Sequence, residues 1–109
     1  MWTLPAVVFV IATAAASPTK AELPAYELEL KDGLLIPETI VVNAGQRFKL
    51  NIRNTGKGPV EFESTRLRQE KVFGPGAHSF VVIPPLTPGE YEFFDEFHLP
   101  DATGRIIAK

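Results

Sequence analysis

The residues of this sequence best suited to chemistry gather near its C-terminal end. Asp95, Glu96, His98 and Asp101 lie within seven positions. They supply carboxylate oxygens and an imidazole nitrogen, which are donors that metal ions take in proteins. They lie at and just after the end of an alternating apolar and polar run over residues 90–96, which is typical of a β-strand. The stretch therefore predicts a metal site where a strand ends.

The strand's alternation gives Asp95 two interpretations. Tyr91 and Phe93 are expected in the core, and Asp95 falls on the same face. An inward carboxylate is costly unless it is paired or coordinated, and His98 is close enough to turn toward the same point. In the functional interpretation both side chains bind a metal ion. In the structural interpretation Asp95 accepts backbone hydrogen bonds and caps the loop, while His98 is a surface residue.

A second carboxylate pair lies in the middle of the chain. Glu61 and Glu63 share one face of a predicted strand over residues 60–64. Such a pair usually lies on a solvated outer face, but it could also present two oxygen ligands at the edge of the site. Oxygen donors with one imidazole suit iron or manganese and accept zinc or Cu(II), whereas Cu(I) prefers softer ligands.

A charged run follows directly at residues 65–71, the only segment that could hold a helical turn. Most such runs are solvated surface. Here Glu70 could be a further ligand, and Arg66 or Lys71 could neutralise surplus carboxylates.

Composition excludes several classes of function. The chain has 109 residues, enough for one small domain, and a formal net charge of −2 with no basic cluster, which argues against a nucleic-acid partner. It has no cysteine. Disulfides, thiolate zinc sites, a cysteine nucleophile and thiolate-ligated copper are therefore excluded. The sequence also has no nucleophile-elbow motif and no glycine-rich phosphate loop.

The N-terminal end indicates export. Residues 1–21 combine a short apolar run with small residues after it, which is typical of a signal peptide. The apolar run is shorter than a typical membrane-spanning helix. An uncleaved N-terminal anchor is the alternative. In either case residues 22–109 form one domain that we expect outside the cytoplasm.

The remaining chain predicts an all-β fold, an antiparallel Greek-key sandwich or barrel. Short alternating or β-branched runs are separated by turn signals at regular spacing. The predicted strands cover residues 26–31, 34–36, 39–42, 47–53, 60–64, 79–83, 90–96 and 105–108.

The C-terminal stretch resembles a known family. Residues 89–98 read Gly-Glu-Tyr-Glu-Phe-Phe-Asp-Glu-Phe-His. Cupredoxins carry Gly-x-Tyr-x-Phe-x-Cys-x-x-His here, so Asp95 stands in place of the copper-binding cysteine and His98 matches the loop histidine. Residues 104–106 resemble the entry to the last cupredoxin strand, but no methionine precedes them in the loop and no histidine lies at residues 60–63. The resemblance therefore implies a cupredoxin fold without a blue-copper site.

Several segments are also similar to cupredoxin-like proteins of bacterial iron-uptake systems. They are residues 61–64, 67–72, 75–76, 86–91 and 94–98. This resemblance implies a periplasmic protein that binds iron and assists its oxidation or its delivery to an inner-membrane iron permease. A Cu(II)-binding periplasmic protein is one alternative, and a module that docks a permease without binding metal is another. A homodimer that builds one site from two chains is also left open.

Residues and resemblance together give an order of expected ligands. Asp95 and His98 come first, Glu63 next, and Glu61 and Glu96 after them. Glu70, Arg66 and Lys71 are expected as weaker ligands or as neighbours of the site.

Overall fold

The computed structural model of the protein describes residues 3–6 and 22–109. Most of the predicted signal segment, residues 1–21, lies outside these ranges, so the signal peptide stays a prediction. Within the described part, no helix has the length and apolar character needed to cross a membrane.

The described residues form a two-sheet β-sandwich, which confirms the predicted class. Its nine strands are β1 (Ala25–Lys31), β2 (Leu34–Ile36), β3 (Thr39–Val42), β4 (Phe48–Asn54), β5 (Val60–Ser64), β6 (Gln69–Phe73), β7 (His78–Ile83), β8 (Gly89–Asp95) and β9 (Thr103–Ala108). One sheet has the order β2-β1-β4-β7 and the other β3-β9-β8-β5-β6. A short 3-10 turn, Glu96–His98, follows β8 directly.

The apolar core fills the space between the sheets because the strands alternate as the sequence predicts. On β4 the side chains of Phe48, Leu50 and Ile52 are each at most 1% exposed. In the five-stranded sheet, the rings of Phe62 and Phe93 lie 5.7 Å apart, centroid to centroid. These contacts fix β5 and β8 side by side, and the candidate site is built on these two strands.

The antiparallel prediction is mostly right. Five of the seven strand pairings in the described part are antiparallel. β1 pairs with β4 and β3 pairs with β9 in parallel. Pro37 follows β2 and lacks the N–H needed to extend its ladder. The chain then enters the other sheet, where β3 runs in the same direction as β9.

Residues 65–71, which on sequence alone could hold a helical turn, divide into a turn and the start of a strand. Residues 65–68 form a tight turn, and β6 begins at Gln69. The Ser64 Oγ accepts a hydrogen bond from the Leu67 N–H at 3.3 Å, and Arg68 adopts a positive φ of 54°, which reverses the chain. The strand β6, which the sequence did not predict, therefore pairs with β5.

Candidate metal centre

Three glutamates meet on the outer face of the five-stranded sheet. Glu61 and Glu63 project from β5 on the face opposite the core, because Val60 and Phe62 point inward. Glu70 projects from β6 directly across from Glu63. One carboxylate oxygen from each residue lies within 4.8 Å of the others, a spacing that can hold a metal ion. We call this group the glutamate cluster.

Glu61 is the unusual member of the glutamate cluster because it is only 9% exposed. Buried carboxylates normally have a cationic or hydrogen-bonding partner. The ion pairs of the described residues involve Arg53, His98 and Arg105, and none of them reaches the cluster. On the outer face, the carboxyl group of Glu61 therefore faces other carboxyl groups, without a balancing positive charge among the described residues.

This crowding raises the pKa values of two cluster carboxyl groups. The pKa of Glu61 rises from 4.5 to about 7, first because its side chain hydrogen-bonds to Glu70, and then because of burial and neighbouring negative charges. The pKa of Glu63 is also raised, by burial and by the charges of Glu96 and Glu70. The site thus retains protons that a bound cation would replace.

Glu96 approaches the cluster from a separate element. Phe62 on β5 pairs with Asp95 at the end of β8, so the next step of the register brings Glu96 alongside Glu61. The charge of Glu96 contributes to raising the pKa values of both Glu61 and Glu63. Glu96 is exposed, and it supplies a fourth carboxylate at the rim.

Asp95 and His98 also meet, but within the end of the sandwich. Asp95 is fully buried, and its Oδ2 lies 2.5 Å from His98 Nδ1. Because a carboxylate only accepts hydrogen bonds, the imidazole carries a proton on Nδ1. Asp95 Oδ1 accepts hydrogen bonds from the N–H groups of Glu61 at 3.0 Å and Phe97 at 3.1 Å. Both oxygens of Asp95 thus have protein partners.

The two cations expected near the site lie elsewhere. The Arg66 guanidinium stacks on the Tyr91 ring, 4.3 Å from its centroid, and donates a hydrogen bond to the Glu90 carbonyl. Lys71 Nζ donates to Ser79 Oγ at 2.9 Å. Each side chain is therefore engaged away from the glutamate cluster.

The structure divides the predicted ligands into two groups. Glu61, Glu63 and Glu70 form the outer cluster with Glu96 at its rim, whereas Asp95 and His98 form a hydrogen-bonded pair in the end of the sandwich. The sequence ranked Glu70 low because residues 69–73 were not identified as a strand. The alternation there, with Phe73 inward and Glu70 outward, is the signal that could have raised it.

The donor set of the cluster is uniformly hard. Carboxylate oxygens suit iron, manganese or magnesium, and they can accept zinc or Cu(II). Cu(I) prefers thiolate and thioether ligands, but the chain has no cysteine and its one methionine is Met1. The cluster can therefore hold a hard or borderline cation.

Comparisons with known proteins agree with this architecture. The family model of the cupredoxin-like domain matches residues 3–108. An uncharacterised protein, RP394, from Rickettsia prowazekii (strain Madrid E) is 35% identical over 81 residues, which cover 74% of this chain and 65% of the relative's length.

Two solved structures illustrate the fold. The metal-binding domain of the Cu(I)-exporting P-type ATPase CopA from Streptococcus pneumoniae D39, solved with Cu(I), is similar with a TM-score of 0.69 and 13% identity over 78% of this chain and 84% of that one. Auracyanin A, a "blue" copper protein from Chloroflexus aurantiacus, gives a TM-score of 0.63 and 11% identity over 78% of this chain and 99% of that one. At these identities the likeness concerns the fold.

Proposed function

Because the chain belongs to the cupredoxin-like domain family, whose fold suggests metal binding or electron transfer, we propose that this protein binds a metal ion at the glutamate cluster. The Glu61 carboxyl group carries the proposal, because it lies within 4.8 Å of two further carboxylates and has no cationic partner among the described residues. A bound cation supplies the missing charge and stabilises the arrangement.

Iron is the metal that we propose first. Three oxygen donors favour it on chemical grounds, and the sequence resemblance to iron-uptake proteins points the same way. Cu(II) is the alternative, supported by the copper-binding structural neighbours. Oxygen donors stabilise Fe(III) relative to Fe(II), so the cluster would assist ferrous oxidation if dioxygen accepts one electron from each Fe(II). Oxygen consumption with Fe(II), measured with and without the protein, tests this step.

We further propose that the protein acts in the periplasm and delivers its metal to an inner-membrane iron permease. The supporting feature is the loop beside the site, where Phe97 is 49% exposed and Leu99 45% exposed. Exposed apolar side chains next to a metal site suit a docking partner. A double variant, Phe97→Ser with Leu99→Ser, should keep metal affinity but lower iron uptake in cells that carry the permease. Uptake that stays unchanged would contradict this delivery role.

A module that docks the permease without metal remains the second candidate, and the same loop supports it. The double variant would lower uptake in this case too, so metal titration distinguishes the two functions.

The direct test is calorimetric titration of the purified, metal-stripped protein with Fe(III) citrate, anaerobic Fe(II), Cu(II) and Zn(II). Glu70→Gln should weaken binding by more than about tenfold, since it removes a ligand and not an outer contact. Glu92→Gln is the matched control, because Glu92 is exposed on the same sheet face but lies outside the cluster. Binding that survives Glu70→Gln but disappears in His98→Ala would move the site to Asp95 and His98. No binding of any metal would reject the proposed function.

A further inference from the structure

The buried Asp95 carboxylate connects three parts of the chain. It ends β8, accepts the N–H of Glu61 on β5, and accepts the N–H of Phe97 in the Glu96–His98 turn. Its second oxygen takes the proton of His98 Nδ1. A fully buried carboxylate is stable only with such partners, and here each oxygen has at least one.

His98 extends this connection to the opposite sheet. Its ring packs against the β1–β2 turn at Gly33, where a methyl group in place of the glycine hydrogen would lie 3.4 Å from the imidazole. Gly33 has a φ of +90° and Asp32 a φ of +47°, the two left-handed residues of a tight hairpin turn. Asp95 and His98 together therefore join the two sheets at this end of the sandwich.

The Asp95 contacts also reach the glutamate cluster, although the two groups lie on opposite faces of the sheet. The hydrogen bond to the Glu61 N–H holds the backbone from which the Glu61 side chain leaves toward the outer face. The hydrogen bond to the Phe97 N–H holds the turn that carries Glu96. One inward carboxylate thus fixes two of the four carboxyl groups around the cluster.

We propose that Asp95 is the positioning residue of the glutamate cluster: through hydrogen bonds it closes this end of the sandwich and fixes the backbone that presents Glu61 and Glu96 to a metal ion. The metal-binding part of this proposal rests on the proposed function. The part that concerns the end of the sandwich rests on the geometry alone. It gives Asp95 a role other than that of a metal ligand, whereas the sequence predicted Asp95 as a ligand.

Asp95→Asn and Asp95→Ala separate these roles. The asparagine keeps an oxygen for the N–H groups of Glu61 and Phe97, and its amide can donate to His98 once the imidazole proton moves to Nε2. We expect Asp95→Asn to bind Zn(II) or Fe(III) within about threefold of the unchanged protein, and Asp95→Ala to bind about 10- to 100-fold more weakly, as is typical for residues that orient ligands. Affinities are measured well below each variant's melting temperature, so that all molecules are folded.

Amide hydrogen exchange gives a readout that needs no metal. Without Asp95 Oδ1 the Glu61 amide loses a charge-assisted acceptor, so its exchange in the metal-free protein should become about 10- to 100-fold faster in Asp95→Ala and change little in Asp95→Asn. The Leu50 amide in the other sheet serves as the reference for global unfolding. Should Asp95→Ala fail to fold, His98→Ala removes only the Oδ2 partner and should leave the Glu61 amide protected.

Three results would overturn the proposal. Equal loss of affinity in Asp95→Asn and Asp95→Ala would identify Asp95 as a ligand. A lower melting temperature with unchanged affinity in Asp95→Ala would make Asp95 a stabilising residue only. An unchanged exchange rate of the Glu61 amide in Asp95→Ala would show that Asp95 does not hold the Glu61 backbone. If the unchanged protein binds no metal, the proposed function fails by itself, and the exchange result still decides whether Asp95 holds Glu61.

Discussion

Metal binding to the glutamate cluster should release protons in amounts that depend steeply on pH. The pKa of Glu61 is about 7, so its carboxyl group is about 90% protonated at pH 6 and about 10% protonated at pH 8. A metal ion binds the deprotonated carboxylate. Glu61 alone should therefore release about 0.9 proton per metal ion at pH 6, about 0.5 at pH 7 and about 0.1 at pH 8. Glu63, whose pKa is also raised, adds to the release.

The same equilibrium sets the apparent affinity. Each metal ion competes with the Glu61 proton, so affinity should approach a plateau above pH 8 and fall about fivefold between pH 7 and pH 6. Below pH 6 the fall should approach tenfold per pH unit. Zn(II) is the suitable probe because it is redox-inert and accepts oxygen ligands.

Calorimetric titrations at each pH, repeated in two buffers of different ionisation enthalpy, measure the released protons directly. Glu70→Gln supplies the mechanistic check, because Glu70 is the first cause of the raised Glu61 pKa. Metal ions that still bind to the Glu70→Gln variant should release fewer protons at pH 6. Proton release near zero at pH 6, or equal release at pH 6 and pH 8, would refute the account of Glu61.

Three further predictions concern stability. The metal-free protein should become less stable as pH rises from about 4.5 through 7, because the folded state holds the Glu61 proton more tightly than the unfolded state. Melting temperatures measure this pH dependence, and a pH dependence of the same size in Glu61→Gln would contradict the assignment to Glu61. Asn54→Ala should cost roughly 2–4 kcal/mol in chemical denaturation, since the buried amide donates to two carbonyls and accepts from one N–H; a loss below about 0.5 kcal/mol would refute this. Gly104→Ala should lower the free energy of unfolding by about 1–3 kcal/mol or more, because the new methyl group would lie 2.7 Å from the Phe93 ring. Gly58→Ala should lower it less, because a methyl group there meets nothing within 4 Å.

Strand periodicity carried most of the fold prediction. Eight predicted strands correspond to observed ones with ends that shift by at most two residues, because each has alternating or β-branched residues next to a glycine, proline or asparagine turn. The strand β6 was missed because its five residues include three polar side chains, among them Glu70 and Lys71, and follow a charged turn. Its strand character comes from pairing with β5, a tertiary contact that local propensity does not contain.

Prediction of the candidate site was limited in the same way, because the site also depends on tertiary contacts. The sequence named Glu61 and Glu63 as possible ligands on one strand face, and it predicted correctly that Asp95 shares the inward face with Tyr91 and Phe93. It could not assign Glu70 to the cluster, because that requires the β5–β6 register. Nor could it show that Glu61 is buried, because the Glu96–His98 turn beside it lies more than thirty positions away in the chain.

The position of Asp95 connects these observations. In the cupredoxin pattern this position belongs to the copper-binding cysteine. Here Asp95 holds the loop through Phe97 and the neighbouring strand through Glu61, using hydrogen bonds. In the proposed function the metal ligands lie instead on the outer face, where Glu61, Glu63 and Glu70 converge. We therefore infer that aspartate in place of cysteine at this position has two consequences together: a soft ligand is absent within the sandwich, and the proposed carboxylate-rich site outside it is supported.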